Sequence, residues 1–328
     1  MEKHSFTNVS INKKKVFESD LLMTIIFGRL GWQDRLNLSL CCKDIYSIFA
    51  KRNKVLKTSI KIPHTSNLKD IDIHLLKEIF SKYKNIEKVE TLFGYEPERL
   101  KVISDANLVN LEILRISCIT SNFGQYINMF NLKELYLEWS YNQEEITNLS
   151  FLCNLVNLEK LKLDSGAITD IESIKGLTKL KEFSLFRMSR RKEDLQRIHY
   201  HYYKEFIDIT PISFCTNLEK LKLISSDIKS IEPIKKLFNL KELVLSNIGS
   251  ITDLLPISNL TNLKILILGS LNIKDIEPIM YLVNLEILKI YQIYLSDFSP
   301  ISYLNNIKVL KLSRTRIKDI EQIKELKN

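Results

Sequence analysis

Apolar residues recur along this chain in a phrase of the form L-x-x-L-x-L, about every 22 residues. Clear copies begin at Leu158, Leu218, Leu240 and Leu263, and the series continues from Leu285 and Ile307. With Leu111, Leu132 and Leu180 included, the first apolar positions advance in steps of 21, 26, 22, 38, 22, 23, 22 and 22. A degenerate earlier copy begins at Ile86. Alternating apolar residues predict a short strand with one buried face. A second phrase follows, as in Ile273-Lys-Asp-Ile276-Glu-Pro-Ile279-Met-Tyr-Leu282, with an apolar residue at every third position. That spacing predicts a tight 3₁₀-like turn lying against the strand. Pro211, Pro233, Pro256, Pro278 and Pro300 recur in it. Each fixes φ and removes an N–H, which prevents the segment from becoming another strand. A fixed period of this size means one supersecondary unit stacked many times, an elongated scaffold.

These phrases resemble the leucine-rich repeat family in its 22-residue, internalin-like form, over roughly residues 86–326. The resemblance implies an α/β solenoid with parallel strands on a concave face and 3₁₀ or short helical segments on the convex one. It also implies an asparagine three residues after the L-x-L, where its amide satisfies backbone groups in the turn. Here that slot reads Ile119, Ser140, Gly166, Ser226, Ile248, Leu271, Ile293 and Thr315, so the turns are expected to use other partners. Asp170, Asp275 and Asp319 recur with the repeat, and repetition marks them as turn formers that accept from local N–H groups.

Strand residues between the leucines point away from the core. The central column reads Arg115, Tyr136, Lys162, Ser184, Lys222, Val244, Ile267, Lys289 and Lys311, with Ile265 and Ile287 beside it. Two readings stand for this face: a solvated strand surface, or a mixed basic and aliphatic groove that holds a partner. Val244, Ile265, Ile267 and Ile287 are expected to be exposed together, and adjacent exposed aliphatics mark partner surfaces. The 38-residue step holds an insertion near 187–204 that carries Arg187, Arg190, Arg191, Tyr200, Tyr202 and Tyr203. The 26-residue step adds a few residues around Trp139 on the same rim. Arginine and aromatic residues are frequent binding hot spots, although a tolerated surface loop reads the same way. His199 and His201 have no nearby cysteine to complete a zinc set. No catalytic motif, cofactor motif or metal-ligand set is found, and the chain is not expected to be an enzyme.

Residues 16–52 fall outside the repeat. Leu22, Ile25, Ile26 and Leu30 follow helical spacing, Gly31-Trp32 interrupts it, and Leu36, Leu38 and Leu40 continue after Asp34. This predicts a small three-helix module. The stretch Asp34-Arg-Leu-Asn-Leu-Ser-Leu-Cys-Cys-Lys43, with Leu30, Ile26 and Leu22 before it, resembles the F-box family. Phe17-Glu18-Ser19 stands where that family opens with Leu-Pro. The resemblance implies a substrate receptor of a cullin-RING ubiquitin ligase. Its helices would dock on a Skp-type adaptor through Leu21, Leu22, Ile25, Ile26, Leu30, Trp32, Leu36 and Leu40, and its repeats would hold the protein to be modified. The alternatives are a stand-alone repeat scaffold with a helical cap, or a nucleic-acid-associated protein using Lys13–Lys15, Lys51–Lys57 and the insertion.

Charge bears on that last alternative. The net charge of +9 is concentrated, with +6 in residues 1–60 and +3 in 186–205. A nucleic-acid-binding solenoid is expected to be basic along its length, so nucleic acid is not the expected partner. Cys41, Cys42, Cys118, Cys153 and Cys215 form no CxxC pair. With no apolar signal core and no long apolar run, a reduced cytoplasmic or nuclear setting is expected, with no membrane span. The expected organisation is a basic tail (1–15), the all-α F-box-like module (16–52), a linker with a capping helix (53–85) and the solenoid (86–328).

Overall fold

The computed structural model describes residues 58–62, 77, 86–92, 97–117, 124, 129–138, 148–165, 168–187, 206–225, 228–317 and 321. The F-box-like module, the insertion at 188–205, Trp139 and Asp319 lie outside the described residues, as does the 53–85 segment expected to hold a capping helix, apart from residues 58–62 and Lys77.

Among the described residues eleven strands form one sheet in strict sequence order. They are β1 (Thr58–Ile62), β2 (Ile86–Leu92), β3 (Ile113–Ser117), β4 (Glu134–Glu138), β5 (Lys160–Asp164), β6 (Glu182–Arg187), β7 (Lys220–Ser225), β8 (Glu242–Ser246), β9 (Ile265–Gly269), β10 (Ile287–Tyr291) and β11 (Val309–Ser313). Every pairing is parallel. Parallel neighbours need a crossover on one face. Between β2 and β3 the crossover contains a helix, α1 (Pro97–Asp105). Later crossovers contain 3₁₀ turns, among them Thr210–Phe214, Glu232–Lys236, Glu277–Tyr281 and Ser299–Tyr303. The sheet also takes in Thr58–Ile62, within the segment that the sequence assigns to linker and cap.

The predicted columns are the core. Leu111, Leu132, Leu158, Leu180, Leu218, Leu240, Leu263 and Leu285 are fully buried. So are Ile174, Ile212, Ile234, Ile257, Ile279 and Ile301 from the returning turns. Each layer therefore closes its own core between strand and turn and stacks on the next, with dispersion and apolar burial summed along the stack. The recurrent prolines sit in the first positions of the 3₁₀ turns, where a missing N–H leaves no bond unmade. Asp170, Asp208, Asp253, Asp275 and Asp297 each accept from the backbone N–H two residues on and start these turns, as expected for Asp170 and Asp275.

An asparagine ladder is present, on the opposite side of the strand from the expected slot. Asn131, Asn157, Asn217, Asn239, Asn262, Asn284 and Asn306 immediately precede the first leucine. Each donates from Nδ2 to a carbonyl one repeat back, at 2.7–3.1 Å. Lys179 occupies that position in its own repeat and donates instead to Asn157 Oδ1. After the strand, Ile248, Leu271, Ile293 and Thr315 are buried plugs. The residues before them, Asn247, Ser270, Gln292 and Arg314, take positive φ. Asn247, Ser270 and Gln292 then donate their N–H groups to the end of the next strand, at 3.0 Å. Neighbouring backbone thus does what the side-chain amide was expected to do.

Candidate functional site

Parallel register puts repeat-equivalent side chains in rows across the open face of the sheet, about 4.8 Å apart. In the row that opens the strands, Glu134, Lys160, Glu182, Lys220 and Glu242 alternate in sign. Lys160 lies 3.0 Å from Glu134 and 3.9 Å from Glu182, Lys220 lies 2.9 Å from Glu182, and Lys222 lies 2.7 Å from Glu242. The row before it pairs Glu112 with Lys133, Glu159 with Lys181 and Glu219 with Lys241, while Glu286 is bracketed by Lys264 and Lys308.

The central column of β3–β7 is occupied in the same way. Arg115 stacks on Tyr136 at 4.2 Å, and the Tyr136 hydroxyl donates to Glu134 at 3.0 Å. Burial, and then the Glu134 charge, raise the Tyr136 pKa. Lys162 pairs with Glu138 at 2.7 Å and lies 5.1 Å from the centre of the Phe186 ring. The hydrogen bonds to Glu134 and to Glu182 hold the Lys160 and Lys220 ammoniums above the usual lysine range. Of the residues predicted to bind a partner, Arg115, Tyr136, Lys162 and Lys222 are therefore engaged within the fold. Exposed pairs of this kind are worth little individually, about 0–1 kcal/mol each. Together they leave this half of the face neutralised.

From β8 onward the pattern changes. Ile265, Ile287 and Val309 replace the alternating acids and lysines. The central column becomes Val244, Ile267, Lys289 and Lys311. Ile265, Ile267, Ile287 and Val309 are half-buried. Val244 was expected to be exposed and is not, at 8% exposure. It stands in register between Lys222 and Ile267, whose side chains are longer than its own. Lys289 and Lys311 sit side by side in register. Their flanking rows offer Ile287 and Val309 on one side and Tyr291 and Ser313 on the other, none of them acidic. Among the described residues neither lysine has an ion-pair partner.

Tyr291 was not foreseen. Its hydroxyl donates to Ser246 Oγ, two strands away, at 2.6 Å. The ring crosses β9 at Gly269, where a Cβ would stand 1.9 Å from ring carbon Cζ. The signal in the sequence is the row Ser246, Gly269, Tyr291: two small residues beside one aromatic.

Other features carry less chemistry. Rim clefts of about 430 and 380 Å³ are lined by asparagines of the ladder and by the ion-paired Glu/Lys row. Those asparagines already hold carbonyls, and the charges already hold one another. No group of three His, Cys, Asp or Glu residues able to hold a metal ion occurs among the described residues. Burial pushes the Cys215 thiol up to about 11, and its Sγ donates to the Ile174 carbonyl. The predicted adaptor-docking residues, and Trp139, Arg190, Arg191, Tyr200, Tyr202 and Tyr203, lie outside the described residues. Arg187 closes strand β6. No described helix is long and apolar enough to cross a membrane.

Strand, tight turn and 3₁₀ return, repeated in sequence order with leucines inward, decide the architecture. This is the leucine-rich-repeat fold. An internalin (inlF) of Listeria monocytogenes is similar over 85% of this chain and 86% of its own, with 23% identity and a TM-score of 0.51. A chain of the TLR13–ssRNA13 complex matches 85% of this chain with 40% of its own, at 17% identity and a TM-score of 0.57. Internalin C2 (inlC2) of L. monocytogenes is 28% identical over 60% of this chain and 76% of its own, with a TM-score of 0.48. No family profile matches the chain, and no curated protein matches it. Leucine-rich-repeat likeness at this distance concerns fold.

Proposed function

We propose that this chain is a non-catalytic receptor that holds a segment of another protein on the β8–β11 half of its open sheet face. The observation that carries the reading is the contrast between the two halves. Over β3–β7 Arg115 stacks on Tyr136, and Lys160, Lys162, Lys220 and Lys222 pair with glutamates. Over β9–β11 half-buried aliphatics flank two lysines that have no acid beside them in register. A patch with an apolar floor and unmatched charge is what a specific partner can complete.

The second element of the proposal is the use of that grip. The F-box resemblance of residues 16–52 supports docking on a Skp-type adaptor of a cullin-RING ligase. In that role the chain breaks no bonds. It raises the local concentration of the held protein near the ubiquitin-transferring enzyme, in the cytoplasm or nucleus.

Affinity capture with the full chain separates the parts of the proposal. Wild type is expected to recover both a Skp-type adaptor and a partner. Leu22→Asp or Leu40→Asp is expected to lose the adaptor and keep the partner, while Ile267→Arg loses the partner and keeps the adaptor. Recovery of a partner with no adaptor reduces the reading to a stand-alone scaffold. A partner that survives Ile267→Arg and crosslinks outside β8–β11 refutes the site.

A further inference from the structure

We propose that the segment held by β9–β11 is acidic and aliphatic, with a carboxylate seated between Lys289 and Lys311 and an apolar neighbour resting on Ile287 and Val309. The proposal rests on the binding reading above and names the chemistry of its ligand.

The argument begins with the register. Lys289 and Lys311 are directly opposite on parallel strands, so their stems rise from points about 4.8 Å apart. Like charges in that position repel. On β5 and β7 glutamates of the opening row offset lysines: Glu134 for Lys160, Glu182 for Lys220, Glu242 for Lys222. At β10 and β11 the positions that supply the glutamate hold Ile287 and Val309. The acid that precedes Ile287, Glu286, is committed to Lys264 and Lys308 at 3.1 and 2.7 Å. One external carboxylate therefore restores the charge pattern that the rest of the sheet completes internally. Two ammonium groups on one carboxylate make charge-assisted hydrogen bonds, the stronger class.

Tyr291 bounds the other side. Its hydroxyl is tied to Ser246 and its ring lies on Gly269, which draws the ring toward β8 and away from β11. Ser313, its neighbour in register, is small and exposed. The ground beside the lysine pair is left open on the β11 side. A polypeptide fits this patch better than a nucleic acid does. A phosphate backbone calls for cations along its track, whereas Lys160, Lys162, Lys220 and Lys222 are already paired and the floor here is aliphatic.

The test uses the full chain and labelled peptides in which two glutamates flank an isoleucine, with matched peptides carrying glutamine or lysine instead. Fluorescence anisotropy is expected to show saturable binding of the glutamate peptide. It should weaken as salt rises and weaken about tenfold or more in Lys289→Glu/Lys311→Glu, with unchanged circular dichroism. Equal affinity for the glutamine peptide, with binding abolished by Ile267→Arg, overturns the acidic assignment and leaves the binding face intact. No binding of any peptide up to millimolar concentration overturns the acidic assignment, and crosslinking of a captured partner outside β8–β11 then removes the face as well. Tighter binding of a single-stranded RNA than of the glutamate peptide, lost in the same double variant, also overturns it.

Discussion

The asparagine ladder contains one natural gap, and the gap gives a test in which related substitutions have opposite signs. Asn284 donates from Nδ2 to the Thr261 carbonyl at 2.9 Å, in an exposed position. A net hydrogen bond contributes about 0.5–1.5 kcal/mol. A carbonyl freed at the surface is rehydrated, so Asn284→Ala is expected at the lower end, about 0.5–1 kcal/mol. At Lys179 the rung is missing, and the lysine bonds to the neighbouring Asn157 side chain at 2.7 Å instead. Lys179→Asn places an amide where the other rungs stand, facing the Val156 carbonyl one repeat back, and is expected to stabilise by about 0.5 kcal/mol. Lys179→Ala is the control that removes the lysine without adding the rung. Urea unfolding measures all three. With a slope near 3 kcal/mol/M, about 1 kcal/mol moves the midpoint by about 0.3 M at constant slope. An unchanged midpoint for Asn284→Ala, or Lys179→Asn no more stable than Lys179→Ala, would refute the claim that these amides stabilise the stack.

Two further outcomes follow from the ionisable groups. Cys153 is exposed and Cys215 is buried, with its thiol pushed up to about 11. At neutral pH a thiol alkylating reagent is expected to label Cys153 in the native protein and to reach Cys215 only after unfolding, as read by peptide mass mapping. Hydrogen bonds from Thr210 and Ser299 hold the Asp208 and Asp297 carboxyls below their usual range, and Lys181 does the same for Glu159. A carboxylate with a depressed folded pKa contributes stability that is complete above its unfolded value near 4 and is lost as pH falls through the folded value. Asp164 opposes this, because burial raises its pKa and its ionised form is disfavoured by folding. With more carboxyls lowered than raised among the described residues, the unfolding midpoint should hold from about pH 8 to pH 5 and fall below about pH 4. Asp297→Asn, which keeps the acceptor for Ser299, should make that fall shallower; an identical acid limb would remove Asp297 from the account.

Much of this architecture was legible because periodicity averages over many copies. Leucine columns, proline-bearing 3₁₀ turns and aspartate turn starts each repeat, so an error at one copy is outvoted by the others. The asparagine ladder was legible in the same way, since Asn precedes the first leucine at 131, 157, 217, 239, 262, 284 and 306. The family resemblance implies the amide in the turn after the strand, where buried Ile248, Leu271 and Ile293 stand instead. What was not legible depended on pairs distant in sequence. Val244 is buried where its neighbours in register, Lys222 and Ile267, carry longer side chains. Tyr291 reaches Ser246 across 45 residues only because Gly269 intervenes. The lysine pair was named as part of the face, but its lack of an acid partner required the register. Strand β1 lacks the full leucine phrase, since Thr58-Ser-Ile-Lys-Ile62 alternates too briefly to stand out.

The alternating signs of Glu134, Lys160, Glu182, Lys220 and Glu242 bear on how the chain assembles. Nearly identical repeats invite a strand to skip its neighbour and join the next copy, since the leucines fit equally well. In the middle of this protein such a skip sets Glu134 against Glu182, or Lys160 against Lys220, and repulsion between like charges disfavours it. The two-letter electrostatic sequence acts as a parity check on the order of stacking. It ends where Ile265, Ile287 and Val309 take over, so misassembled or domain-exchanged forms are expected to involve the last three strands first.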